Sequence, residues 1–139
     1  NVIGMSQANS TEFEPEASDL VIDLMPEQIE VKKKGGTMRL GSYETTVKEG
    51  TKTKEIYGKK KIEERHRHRY EFNNDYREKF EEAGMELAAT SLDGQLVEVI
   101  ELRDHPWFIG VQFHPEFKSR LEDPHPLFTS FLRACNQEA

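Results

Sequence analysis

The tripeptide His114-Pro115-Glu116 closes the apolar run Trp107-Phe108-Ile109-Gly110-Val111-Gln112-Phe113 and reads as two members of a catalytic triad. An apolar, β-rich run that stops at a proline-locked turn holds an imidazole and a carboxylate at fixed separation, which general acid/base chemistry needs. Histidine exchanges protons near neutral pH. A carboxylate that accepts its second ring N–H fixes the tautomer and steadies the imidazolium formed in reaction. The third member, a nucleophile, is missing. No serine or cysteine among the 139 residues stands in a Gly-x-Ser/Cys-x-Gly elbow. The one cysteine, Cys135, shares a helical apolar stripe with Leu127, Phe128, Phe131 and Leu132, where it reads as a packed structural residue. The chain therefore reads as the back half of an enzyme. Taken bare, His-Pro-Glu is a weak pattern that a functionless surface turn also satisfies, so its surroundings decide.

Hydrophobic period and turn residues give the elements around this turn. Residues 1–18 hold few consecutive apolars and read as extended and loop-like. Leu20-Val21-Ile22-Asp23-Leu24-Met25 is a short strand ending before Pro26, and the polar residues 26–36, with lysines ahead of Gly35-Gly36, form a turn or flexible connection. Residues 37–43 alternate enough for a strand, with Gly41 as a bulge or close-approach point. A single strand is expected over residues 64–72, with Arg65, Arg67, Arg69 and Glu71 on one face and His66, His68, Tyr70 and Phe72 on the other. Asn73 or Asn74 caps a helix with the stripe Tyr76, Phe80 and Ala83, and Gly84 suits its end. Residues 85–92 and 96–102 flank the hairpin signal Asp93-Gly94, and Pro124-His125-Pro126 opens a last helix. Mixed strands with packed helices give an α/β or α+β class.

Composition narrows the partners. A net charge of −7 opposes nucleic-acid binding by the whole chain, because such binders release counterions from phosphates with a basic surface. Residues 52–69 run the other way: Lys52, Lys54, Lys59, Lys60, Lys61, Arg65, Arg67 and Arg69 face only Glu55, Glu63 and Glu64. This segment is either a solvated basic face or a patch that meets an anionic nucleotide or partner domain. No apolar run approaches the roughly 20 residues of a membrane span, and no leader pattern opens the chain, so a cytoplasmic protein without a membrane partner is expected. A lone cysteine permits no internal disulfide. His66 and His68, with His105, lack the further ordered ligands a metal site needs, so none is assigned.

The stretch Gly110-Val111-Gln112-Phe113-His114-Pro115-Glu116-Phe117 resembles the signature of the class I, or triad, glutamine amidotransferases. Within them, Gly35-Gly36-Thr37-Met38-Arg39-Leu40-Gly41 and Glu64-Arg65-His66-Arg67-His68-Arg69-Tyr70-Glu71-Phe72-Asn73 look like the C-terminal amidotransferase domain of the CTP synthases. Asn9-Ser10-Thr11-Glu12-Phe13 and His105-Pro106-Trp107-Phe108 fit the same group, in the same order, so the resemblance covers essentially the whole chain. It implies His114 as triad base and acid, Glu116 as its orienting carboxylate, and Glu12 and Arg69 as the residues that hold glutamine. The physical fit is sensible: a carboxylate pairs with the ammonium of a free amino acid, and a guanidinium grips its carboxylate in two-pronged fashion.

The resemblance also implies a three-layer α/β fold around a mainly parallel central sheet, of which residues 1–139 supply an incomplete C-terminal portion. In that family ammonia passes to a separate synthase domain, where ATP and Mg2+ serve the amination of UTP to CTP. GTP is the usual allosteric activator, and a homo-oligomer, a tetramer, is the usual assembly. The family's nucleophilic cysteine precedes the Asn-Ser-Thr-Glu-Phe motif, and the few residues ahead of Asn9 do not contain it. The lone chain is therefore expected to be inactive and poorly stable, completed by a missing N-terminal half. The alternative is a stand-alone, non-catalytic binding or regulatory remnant.

Overall fold

The computed structural model describes residues 2–24 and 38–137. Its strands are β1 (Ala8–Ser10), β2 (Asp19–Leu24), β3 (Arg39–Val47), β4 (Lys61–His68), β5 (Tyr70–Phe72), β6 (Met85–Ser91), β7 (Val97–Leu102) and β8 (Ile109–Val111). The helices are α1 (Lys52–Tyr57), α2 (Arg77–Glu82) and α3 (Pro126–Gln137). The turn expected at residues 26–36, Met25 at the end of the first strand, and the Gly35-Gly36-Thr37 part of the glycine motif lie outside the described residues.

The strands form two sheets, one of order β1-β2-β5 and one of order β4-β3-β6-β7-β8. The α/β class holds, but the mainly parallel sheet does not appear among the described residues. Among the described residues only β1 and β2 pair in parallel; β2·β5 and the ladders of the larger sheet are antiparallel. β6, β7 and β8 follow one another through short turns, and strands joined in that way pair antiparallel with their neighbours. At the first of these, Gly94 takes φ 75 and its N–H reaches Ser91 O at 2.9 Å, as Asp93-Gly94 leads one to expect.

The expected single strand over residues 64–72 breaks at Arg69. β4 belongs to the larger sheet and β5 to the smaller, so the alternation slips there and Glu71 is buried, 4% exposed, instead of sharing the arginine face. Before the break, Ile62, Glu64 and His66 point inward while Arg65 and Arg67 point to solvent. Gly41, opposite His66 in β3, takes φ 115, and among the described residues no neighbour lies within 4 Å of where a Cβ would stand. Backbone angle, not crowding, requires glycine there.

One apolar cluster, with Val47, Ile62, Ala89, Val99, Phe113 and Leu127, lies under α1 and α3. A second, with Met5, Phe72, Phe80, Met85, Leu87 and Val97, joins the two sheets through α2. The α2 segment starts as expected, with the Asn73 side chain accepting from Asp75 N–H. The last helix differs from expectation. Only Leu127 of its stripe enters the core; Phe128, Phe131 and Leu132 are exposed, and so is Cys135, which is not a packed core residue.

Candidate active site

His114 follows β8, and its backbone N–H donates to Arg65 O of β4 at 2.8 Å. Pro115 then opens a 3-10 turn, Pro115–Lys118, that carries Glu116 in its first turn. At the far end of this turn Lys118 Nζ donates to Glu63 O, so both ends are fastened to β4. The side chains meet: His114 Nδ1 lies 2.7 Å from Glu116 Oε1. The bond from His114 holds the Glu116 carboxyl below its ordinary range, so it is an ionised acceptor. Nδ1 must therefore carry the hydrogen, which leaves the Nε2 lone pair available as a base. Phe117 stacks on the ring at 4.9 Å between centroids and steadies it from one side.

Glu12 and Arg69 face a common cavity of about 490 Å³, with Phe13, Met38, His68 and Tyr70 also on its wall. His114 and Glu116 are not on that wall, and the link between them is β4 itself. From Arg65, against which His114 is bonded, the strand covers about 10 Å to His68, next to Arg69.

Beneath this surface lies a set of charges that sequence reasoning missed. Glu98 is fully buried between Arg39, whose Nη2 is 2.6 Å from Oε1, and His66, whose Nε2 is 2.8 Å from Oε2. The other His66 nitrogen faces Glu64 O at 3.0 Å, so the ring is held at both ends rather than free to ligate a metal with His68. Burial pushes the Glu98 carboxyl up, but the bonds from His66 and Arg39 outweigh it and hold the group low. A second buried group ties helices to the same strand: Glu64 Oε1 accepts from Tyr57 at 3.0 Å and from His125 Nε2 at 2.9 Å. Burial raises the Tyr57 hydroxyl far above its ordinary value, so it stays a donor. The available signal was phase: Glu64 and His66 repeat at two-residue spacing from the apolar Ile62, and Glu98 sits between Val97 and Val99.

Two groups next to Arg69 titrate abnormally. Burial pushes Glu71 up to about 7, against the opposing pull of Arg39. Burial also pushes His68 down to about 4, despite its bond to Tyr70 O. For Glu71 the folded state holds the proton more tightly than the unfolded state, so its contribution is full below about pH 4.5 and is lost as pH climbs through 7. His68 has the opposite sign: its contribution is full above pH 6.5 and is lost as pH falls through about 4. Glu71→Gln is expected to flatten the alkaline loss and raise stability at pH 8 by about 1–3 kcal/mol, as measured by urea unfolding at pH 5 and pH 8. An unchanged difference between the two pH values would clear Glu71 of this role.

The profile of the family "Glutamine amidotransferase class-I" matches residues 6–134. The chain belongs to the class-I glutamine amidotransferase family. Among relatives of this amidotransferase chain, the CTP synthase of Chlorobium phaeovibrioides (strain DSM 265 / 1930) is 60% identical over 139 residues, all of this chain and 23% of the relative. The CTP synthase of Listeria monocytogenes serotype 4b (strain F2365) is 57% identical over 135 residues, 97% of this chain and 25% of the relative. The chain thus spans about a quarter of the length of these relatives. Among solved structures, the Trypanosoma brucei CTPS glutaminase domain with bound acivicin superposes with a TM-score of 0.89 at 36% identity, covering 99% of this chain and 53% of that one. Among the described residues no helix is long and apolar enough to cross a membrane.

Proposed function

We propose that residues 1–139 are the C-terminal portion of the glutamine amidotransferase domain of a CTP synthase, and that they supply the acid/base pair and the glutamine-holding residues of its ammonia-releasing site. The 2.7 Å contact between His114 and Glu116 carries this reading, because the turn that holds it is bonded to β4, the strand that leads to the cavity of Glu12 and Arg69. Similarity to CTP synthases along the whole chain supports it, as does the glutamine analogue acivicin in the Trypanosoma brucei neighbour.

In this reading Glu12 pairs with the glutamine ammonium and Arg69 with its α-carboxylate, which presents the side-chain amide toward His114. A cysteine thiol from polypeptide outside these residues gives its proton to His114 Nε2, and the thiolate so formed attacks the amide carbon. The carbon–nitrogen bond breaks as His114 gives its proton to the departing ammonia, leaving a glutamyl thioester. His114 then takes a proton from water, whose oxygen attacks the thioester; glutamate leaves and the thiolate is restored. Glu116 keeps Nδ1 protonated throughout, so each transfer uses Nε2.

The wider role belongs to the same proposal. The ammonia aminates UTP to CTP in a separate synthase domain served by ATP and Mg2+, with GTP as effector, in a cytoplasmic tetramer. The parallel pair β1·β2 is where the rest of a mainly parallel, three-layer domain would continue.

The test is ammonia release from glutamine by the chain alone and by the chain co-expressed with the nucleophile-bearing half of the domain. Silence alone and turnover when completed are expected. A folded, completed domain that releases no ammonia would overturn the reading.

A further inference from the structure

Arg69 stands where the polypeptide leaves one sheet for the other. His68, the last residue of β4, is paired with Arg39 of β3, and Tyr70, the first of β5, is paired with Leu24 of β2. Arg69 itself has no ladder partner among the described residues and is exposed. A residue at such a joint has backbone freedom that its neighbours lack, and a guanidinium that must meet a carboxylate in two-pronged fashion cannot use that freedom. One bond spans the joint. The His68 ring, through Nδ1, lies 3.1 Å from Tyr70 O, closing a loop around Arg69. A carbonyl only accepts, so Nδ1 donates and the tautomer is fixed.

The ring has little room to turn away. Its Nδ1 is also 3.3 Å from Glu71 Oε1, the His66 ring lies 5.3 Å off on the strand side, and the exposed part of the ring forms wall of the cavity shared by Glu12 and Arg69. Burial keeps His68 neutral at physiological pH, so the clamp is a hydrogen bond and adds no second positive charge beside Arg69.

We propose that His68 is a positioning residue for glutamine: by bonding across Arg69 to Tyr70 O it sets the direction in which the Arg69 guanidinium meets the substrate carboxylate. This rests on the reading of Arg69 as the glutamine grip, and the experiment separates the two. In the complete enzyme, KM for glutamine, kcat with glutamine and the rate with free ammonia are measured for His68→Ala, His68→Asn, Arg69→Ala and the double variant His68→Ala/Arg69→Ala. His68→Ala is expected to raise KM for glutamine about tenfold, with kcat changed less than threefold and ammonia-driven turnover intact. Asparagine places an amide N–H near the site of Nδ1–H, so His68→Asn is expected to recover most of the loss. In the Arg69→Ala background, removing the ring is expected to raise KM no further, because its effect runs through the guanidinium.

If Arg69→Ala leaves KM unchanged, the glutamine-grip reading fails, and the clamp fails with it. If Arg69→Ala raises KM while His68→Ala does not, or if the two losses simply add, the grip stands and the clamp is overturned. Loss of ammonia-driven turnover in His68→Ala together with no recovery in His68→Asn marks a merely structural histidine and also overturns it.

Discussion

His114→Ala in the complete enzyme is expected to cut glutamine-dependent turnover by about 10⁴–10⁶-fold while ammonia-driven turnover survives, by analogy with removal of the histidine of a serine-protease triad. The size follows from the number of steps that use one nitrogen. In the proposed mechanism Nε2 protonates the leaving ammonia and later deprotonates the attacking water, so its loss would strike both halves of the cycle. Neighbouring groups offer no substitute: Glu116 is an ionised acceptor without a proton to give, and the Lys118 Nζ is occupied by Glu63 O. Parallel steady-state assays with glutamine and with ammonium salt read the result. Retention of more than a tenth of the glutamine rate would remove His114 from the chemistry.

Glu98→Ala is expected to destabilise the fold by about 3–5 kcal/mol, the usual cost of breaking a buried ion pair from one side. Its carboxylate is fully buried and is the close acid for both Arg39, at 2.6 Å, and His66, at 2.8 Å. Truncation leaves a guanidinium only 9% exposed whose other acid, Glu71, is 3.7 Å away and is itself pushed up to about 7 by burial. Glu98→Gln keeps the shape and one acceptor, and is expected to cost less than the alanine variant. Urea unfolding of the completed domain, followed by far-UV circular dichroism, measures both. A loss below 1 kcal/mol for Glu98→Ala would show that Arg39 and His66 find other partners.

Local chemistry decided which parts could be read from the sequence. Pro115 announced the turn that brings His114 to Glu116; Asp93-Gly94 announced the β6–β7 hairpin; Asn73 announced the start of the helical segment ahead of β6. Each is a short-range signal that distant packing does not reverse. The break at Arg69 was hidden because the run from Glu64 to Phe72 keeps alternating in composition while the backbone passes to another sheet. Glu71 was misplaced for the same reason, since period alone carries no record of which sheet a residue enters. The buried pairing of the acids and histidines beneath the site was not foreseen, because partners such as Glu98 for His66 lie 32 positions away in the chain. The apolar pattern of α3 suggested that Cys135 would pack, but a helix stripe names only the side that wants cover, and here only Leu127 receives it.

The bond from the His114 backbone to Arg65 makes β4 a ruler between His114, the proposed base, and Arg69, the proposed substrate grip. Loop changes elsewhere, such as in residues 103–106, leave its graduations untouched. A single residue inserted between Arg65 and Arg69 would lengthen it by only about 3 Å, yet would swing every later side chain to the opposite side. Length along this strand is therefore a dimension that cannot change without taking this arrangement apart.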